Sequence, residues 1–221
     1  MHQQHWVLRY AFESNFLAPV HDLLTKGCTV LDSGCGPATW TLEMAEMYPR
    51  SDFHGIDVSA VYPEDIKPAN THFYMANVIQ LPFPDNHFDY IHQRTLSFGL
   101  TQDDWAKAIQ ELIRVLKPGG WIELTEMPRK LAKHLEEAGL QNVSTKKTEI
   151  PLKHGGKLGS LCWDDYRETC HAIKPLLAEI HPEWASIDVY NDYIDQCGFE
   201  CTKYETRNDW YTSYAQKPLQ L

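Results

Sequence analysis

The chain has 221 residues, 43% of them hydrophobic and 12% aromatic, and its 30 acidic against 20 basic side chains give a formal net charge of -10. Such a length and apolar content suit one well-buried domain, expected over residues 1–221. The acidic excess opposes a phosphate backbone, so nucleic acid is not an expected partner.

The dense basic runs, Pro128-Arg129-Lys130 and Lys146-Lys147, are short and read as solvated faces. Six cysteines occur without a CxxC pair, and the N-terminal MHQQHWVLRY lacks the apolar core of a signal peptide. Reduced thiols and a cytoplasmic location follow as expectations, with the nucleus left open. Cys170, His171, Cys197 and Cys201 match no zinc-ligand spacing, so no metal is expected. No apolar run reaches the length of about 18 residues needed to span a membrane.

In chain order, helices are expected at His5–Phe12 and Phe16–Leu24, packing across a sheet edge. A strand follows at Thr29–Ser33, then a helix at Thr41–Tyr48 that Pro49 ends. Further short strands are read at Phe53–Val58, Thr71–Met75 and Phe88–His92, the last preceded by the turn-rich LPFPDNH. A long helix opens at Gln102-Asp103, carries Trp105, Ala108, Ile109, Leu112, Ile113 and Leu116 on one face, and stops at KPGG. Trp121–Thr125 is the fifth strand.

Beyond it, PRKLAKHLEEAGL reads as a helix stopped by Gly139, and NVSTKKTEIPL as a strand. An HGGKLGS loop precedes helices at Asp164–Ile180 and Ser186–Gln196, and DWYTSYAQKP forms a closing strand. Short apolar runs alternating with helical period give an α/β fold, a parallel sheet covered by helices. The chain divides into N-terminal helices (1–27), a core (28–126) and C-terminal elements (127–221).

The chemistry concentrates where the first strand meets its helix. In TVLDSGCGPATW, Asp32-x-Gly34-x-Gly36 stands at a strand's C-terminal end, where ligands bind in doubly wound sheets, and glycine lets the backbone approach them closely. Asp57 falls 21 residues after Gly36 at the end of the second strand, the place from which a carboxylate accepts both hydroxyls of a ribose. Together these point to a nucleoside-containing cofactor. A nicotinamide site usually has a third glycine in GxGxxG, where this chain has Thr39, which argues against NAD.

Over Val30–Glu126, this loop, Asp57, ANVIQLPFPDNHFDYIHQR and ELIRVLKPGGWIELTE follow one another in an order that resembles the class I S-adenosylmethionine-dependent methyltransferases. The resemblance implies a doubly wound, mostly parallel seven-stranded sheet of Rossmann-like type with helices on both faces and an antiparallel C-terminal strand. It also implies S-adenosyl-L-methionine as cofactor. By position, Asp32, Gly34, Cys35 and Gly36 form the first loop, Asp57 the ribose clamp with Val58 against the adenine, and Asn77-Val78 the adenine contact. Asn77 departs from the commoner aspartate, yet its side-chain carbonyl can still accept from the adenine amino group. His92, Gln93 and Arg94 would lie beside the sulfonium.

Within the superfamily, NFLAPV, GCGPATWTLEMA, IKPAN, GGKLG and YAQKP resemble fungal LaeA-like methyltransferases. Two departures stand out. Ala38 replaces the usual glycine, and Glu126-Met127-Pro128 joins the fifth strand to the next helix with almost none of the usual intervening segment.

Methyl transfer from a sulfonium is an in-line displacement in which the protein chiefly aligns the reactants. No Asp/Asn-Pro-Pro-aromatic run and no Pro-Cys nucleophile is present, which favours a small-molecule acceptor over a nucleic acid and leaves a protein partner open. For a hydroxyl or amine acceptor, His92 is the first candidate base, ahead of His5 and His154. Tyr10, Trp163 and Tyr166 are candidate acceptor-pocket residues, though packing alone accounts for most such aromatics. The competing reading is a non-catalytic regulatory protein that keeps the fold.

Overall fold

The computed structural model describes residues 2–97, 99–127 and 130–219. Its strands are β1 (Thr29–Ser33), β2 (Asp52–Asp57), β3 (Thr71–Met75), β4 (Phe88–Arg94), β5 (Leu116–Glu126), β6 (Gln141–Pro151) and β7 (Arg207–Gln216). They form one seven-stranded sheet in the order β3-β2-β1-β4-β5-β7-β6. Strands β3, β2, β1, β4 and β5 pair in parallel, and β7 runs antiparallel to β5 from Trp121↔Gln216 to Glu126↔Tyr211. The helices are α1 (His2–Phe12), α2 (His21–Lys26), α3 (Thr39–Met47), α4 (Gln102–Val115), α5 (Leu131–Glu137), α6 (Lys157–Ile180) and α7 (Ile187–Lys203), with a 3-10 turn at Pro182–Ala185.

The chain resolves into two compact units. One comprises Ser14–Lys147 with the stretch from Trp210 onward; the other comprises the N-terminal stretch through Glu13 with Thr148–Asp209. Strands β6 and β7 cross these divisions.

In the sheet unit, alternate strand residues feed two cores. Leu31, Ile91, Ile122 and Leu124 pack with Ala108, Leu112 and Val115 of α4; Ala108 and Leu112 belong to the expected face, Trp105 and Ile113 are only partly buried against it, Val115 was not expected, and Leu116 opens β5 instead of closing the helix. Val30, Phe53 and Tyr90 pack with Trp40, Met44 and Ala45 of α3. Helix α4 opens on Thr101, whose hydroxyl accepts from the Asp104 amide at 3.2 Å. At its other end, buried Lys217 donates to the Ile113 carbonyl at 2.8 Å, to the Leu116 carbonyl at 2.7 Å and to Asn86 Oδ1 at 2.9 Å. A cation there satisfies carbonyls the helix leaves open, which explains the lysine of YAQKP. The LPFPDNH loop is tied by Arg114, whose guanidinium reaches Glu111, Asp85 and the Leu81 and Phe83 carbonyls.

In the helical unit α1 packs on α6, with Gln3 Nε2 donating to the Leu161 carbonyl at 2.9 Å. The Tyr190 hydroxyl of α7 donates to the Cys170 carbonyl of α6 at 2.7 Å. All six cysteines are unpaired.

Several boundaries differ from the sequence reading. The helix expected over Phe16–Leu24 is confined to His21–Lys26, because Pro19 disfavours helix before it and the Leu17 and Ala18 amides bond to Glu123 instead. The fifth strand begins at Leu116 rather than Trp121, with a register shift between Phe88 and Tyr90 that absorbs KPGG. Helix α6 starts at Lys157, so KLGS belongs to it. In PRKLAKHLEEAGL, Pro128 and Arg129 lie outside the described residues.

Candidate functional site

The strand order reverses between β1 and β4, and the crevice outside their C-terminal ends is where open α/β sheets take ligands. Gly34 at φ +70° and Gly36 at φ +52° occupy left-handed backbone just after β1. Ala38 also sits there, at φ 60° and ψ 22°, as the N-cap of α3 without a side-chain cap. Ala38 has no polar side chain with which to cap the start of α3.

The Asp57 carboxylate joins this loop. One oxygen accepts from the Gly36 amide and the other from the Ser59 amide, each at 2.9 Å. Cys35 is half-buried, its amide donating to the Ile56 carbonyl at 2.8 Å, and burial beside Asp32 and Asp57 raises its thiol above the ordinary value. Asn77 is exposed beyond β3, its Oδ1 accepting from the Ile79 amide at 3.2 Å. Val58 is 64% exposed at the end of β2. Val78 differs: its side chain is buried in the α4-side core, which leaves only its backbone for a ligand.

Asp32 points the other way. Buried, it accepts from Thr41 Oγ1 at 2.5 Å and from His92 Nδ1 at 2.9 Å, while His92 stacks on Trp40 with ring centroids 3.8 Å apart and planes 5° from parallel. This knot ties β1, α3 and β4 together. His92 is 2% exposed, and burial holds it below the ordinary histidine value despite Asp32. A base that takes a substrate proton needs an accessible nitrogen at that proton, so the expectation of His92 as base gives way to His92 as the partner of Asp32. Gln93 is fully buried on the opposite face, its Oε1 accepting from Ser33 Oγ at 3.0 Å while its Nε2 finds no partner. Arg94, the last residue of β4, is half-buried.

Sequence reasoning missed two carboxylates of β5. Glu123 is buried in register with His92 and accepts from the Leu17 amide at 2.8 Å and the Ala18 amide at 2.6 Å. Glu126 is buried at the strand end and accepts from the Leu96 amide at 2.6 Å, the Ser97 amide at 3.2 Å and the Ser97 hydroxyl at 2.7 Å. Burial pushes each carboxyl up to about 7, against the hydrogen bonds and the Arg94 charge that pull it down. Their signal was present: acids in WIELTE interrupt a strand that, buried on both faces, should be wholly apolar.

The candidate acceptor residues Tyr10, Trp163 and Tyr166 all belong to the helical unit. Tyr10 is 72% and Tyr166 41% exposed, whereas Trp163 is buried, with Lys153 Nζ 5.1 Å over its ring and Gly198 against its edge. Trp163 is therefore a packing residue. Buried His5 and half-buried His154, whose Nε2 bonds to the Thr206 carbonyl at 2.7 Å, lie in the same unit. Among the described residues no group of three or more His, Cys, Asp or Glu could hold a metal ion, and no helix is long and apolar enough to cross a membrane.

Residues 30–120 match the family model of the methyltransferase domain. A demethylmenaquinone methyltransferase of Listeria welshimeri is 42% identical over 104 residues, covering 43% of this chain and 43% of that protein. One from a Geobacillus species is 37% identical over 110 residues, 46% of each. The chain thus spans less than half the length of these bacterial relatives. Among solved structures, the [4+2]-cyclase SpnF is similar with a TM-score of 0.60 at 19% identity, covering 99% of this chain and 93% of the other. Haemonchus contortus phosphoethanolamine N-methyltransferase 2, in complex with phosphomonomethylethanolamine and S-adenosylhomocysteine, is similar with a TM-score of 0.59 at 17% identity, covering 99% of this chain and 58% of that one. The seven-stranded sheet has the Rossmann-like fold of these solved structures, and within it residues 30–120 match the methyltransferase-domain model.

Proposed function

We propose that the protein binds S-adenosyl-L-methionine at the ends of β1, β2, β3 and β4 and transfers its methyl group to a small-molecule acceptor. The observation that carries this reading is the Asp57 carboxylate bonded to the Gly36 amide, which sets a ribose-accepting acid against the glycine loop that leads into α3. Asp57 would hold the ribose hydroxyls, Val58 and Asn77 the adenine, and Gly34, Cys35 and Gly36 the remainder through their backbone. When bound, this cofactor supplies a methyl group on a sulfonium, already activated for displacement. The chain's own part is to orient donor and acceptor and exclude water, with Arg94 and the 95–97 turn at the mouth. Asp32, Thr41, Trp40 and His92 act behind the loop, holding β1, α3 and β4 in register.

The acceptor class rests on the bacterial relatives, which are named demethylmenaquinone methyltransferases, and on the net negative charge, which opposes a nucleic-acid acceptor. The likeness to LaeA-like proteins and a cytoplasmic or nuclear location belong to the same proposal. So does the alternative of a fold that binds without transferring, which the likeness to a [4+2]-cyclase keeps in view, because fold does not dictate reaction. Incubating the protein with methyl-labelled cofactor and a panel of phenolic, quinol and amine acceptors should yield a labelled product. Calorimetry showing no binding at millimolar cofactor would sink the enzyme reading, and binding without any labelled product would favour the non-catalytic one.

A further inference from the structure

We propose that Glu126 is a positioning residue for the cofactor's amino-acid end, acting through Leu96. This inference rests on the cofactor reading above. The turn after β4 is strained: Thr95, a β-branched residue, stands at φ +59°, a conformation that persists only where the surroundings over-determine it. Those surroundings are the buried Glu126, which takes two amides and a hydroxyl from Leu96 and Ser97, and the Thr125 carbonyl, which accepts from the Thr95 amide at 3.1 Å. So anchored, Leu96 lies directly over Gly34. A Cβ built on Gly34 would overlap Leu96 Cδ1 and stand 3.2 Å from its Cγ.

The sheet order says which part of a ligand meets this pair. An elongated nucleoside cofactor with its ribose at Asp57 of β2 and its base at Asn77 beyond β3 must extend its other end toward β1 and β4, where Gly34 and Leu96 meet. Glu126 reaches no part of that path itself. It fixes the backbone that places Leu96, and Leu96 forms the wall beside Gly34 on which the amino-acid end rests.

The test compares two ligands by calorimetry, S-adenosylmethionine and 5′-methylthioadenosine, the second lacking the amino-acid portion. Glu126→Ala and Leu96→Ala should each weaken S-adenosylmethionine by about tenfold or more while leaving 5′-methylthioadenosine within about twofold. Glu126→Gln, which keeps one carbonyl acceptor, should recover part of the loss. The double variant should be no worse than the weaker single one, since both remove the same placement. Equal weakening of both ligands, or no change in either, overturns the proposal while leaving the cofactor reading intact. A wild-type protein with no affinity for S-adenosylmethionine overturns both. Thermal melts verify folding, and should Glu126→Ala fail to fold, Glu126→Gln carries the comparison: a loss of S-adenosylmethionine affinity with 5′-methylthioadenosine unchanged supports the proposal, and an equal change in both ligands or in neither overturns it.

Discussion

The Asp57 carboxylate and the Gly36 amide, 21 positions apart in sequence, meet at 2.9 Å in the structure. A second carboxylate oxygen takes the Ser59 amide, so the acid is oriented before any ligand arrives. Preorganisation of this kind spares a ligand the cost of ordering the group.

Asp57→Ala should therefore weaken S-adenosylmethionine binding by about 2–3 kcal/mol, the worth of charge-assisted hydrogen bonds lost with the carboxylate. Asp57→Asn should lose less, because an amide oxygen still accepts. Calorimetric titration measures both, and an affinity unchanged in Asp57→Ala would refute the ribose clamp.

Ala38 bears on the same loop. Its left-handed backbone carries a strain of order 1 kcal/mol or more, yet its buried methyl returns about 0.8 kcal/mol. Ala38→Gly should consequently change stability by less than about 1 kcal/mol. Ala38→Val, which forces a β-branched side chain into that conformation, should cost at least about 2 kcal/mol. Urea denaturation decides between these outcomes, and a neutral valine variant would contradict the assigned backbone.

Glu123 makes stability depend on pH. Its carboxyl titrates near 7 in the folded chain and near an ordinary carboxylate value, about 4.3, when unfolded. Between these values the folded state holds more protons, so the group's contribution is fully present below about 4.3 and is lost as pH rises through 7. Glu123→Gln cannot ionise. Its melting temperature relative to the wild type should rise between pH 5 and pH 8, an effect on the order of 3 kcal/mol at most. Glu126 and His92 titrate in both proteins and largely cancel in the difference; a pH-independent difference would argue against a buried, titrating Glu123.

Lys217→Met should cost about 2–3 kcal/mol, since it leaves the Ile113 and Leu116 carbonyls at the end of α4 without their buried donor. Chemical denaturation gives the value. A midpoint equal to the wild type would show that the ammonium contributes nothing net.

Much of the architecture was legible because its signals are local. Strands β1 to β4 were found within two residues of their ends, and Ala108, Ile109 and Leu112 of the buried α4 face were named, because periodicity and breaker residues act within a few positions; the start of β5 and Val115 were not. The geometry of the candidate site was legible where it is made of backbone: Gly34 and Gly36 stand just after β1 and Asp57 ends β2, as residue type and spacing led one to expect. Side-chain direction was less accessible. His92 and Val78 were placed at the cleft, yet both face packed cores, and strand alternation could not be assigned to a face before the partner elements were known.

The amino-acid sequence by itself determined that this chain is an α/β protein with a glycine loop after its first strand and an acid at the end of its second. Those properties depend on residue type and short spacing. Only the tertiary structure decided that Asp32 bonds to His92 and Thr41 behind the loop, and that Glu123 and Glu126 pin two separate segments of backbone. Glu123 and Ala18 are 105 positions apart, Glu126 and Leu96 30. No local propensity records such partners; the sheet brings β5 beside β4, which sets Glu126 against the turn at Leu96, and Glu123, buried within β5, takes the amides of the segment before α2, because a buried carboxylate must find donors.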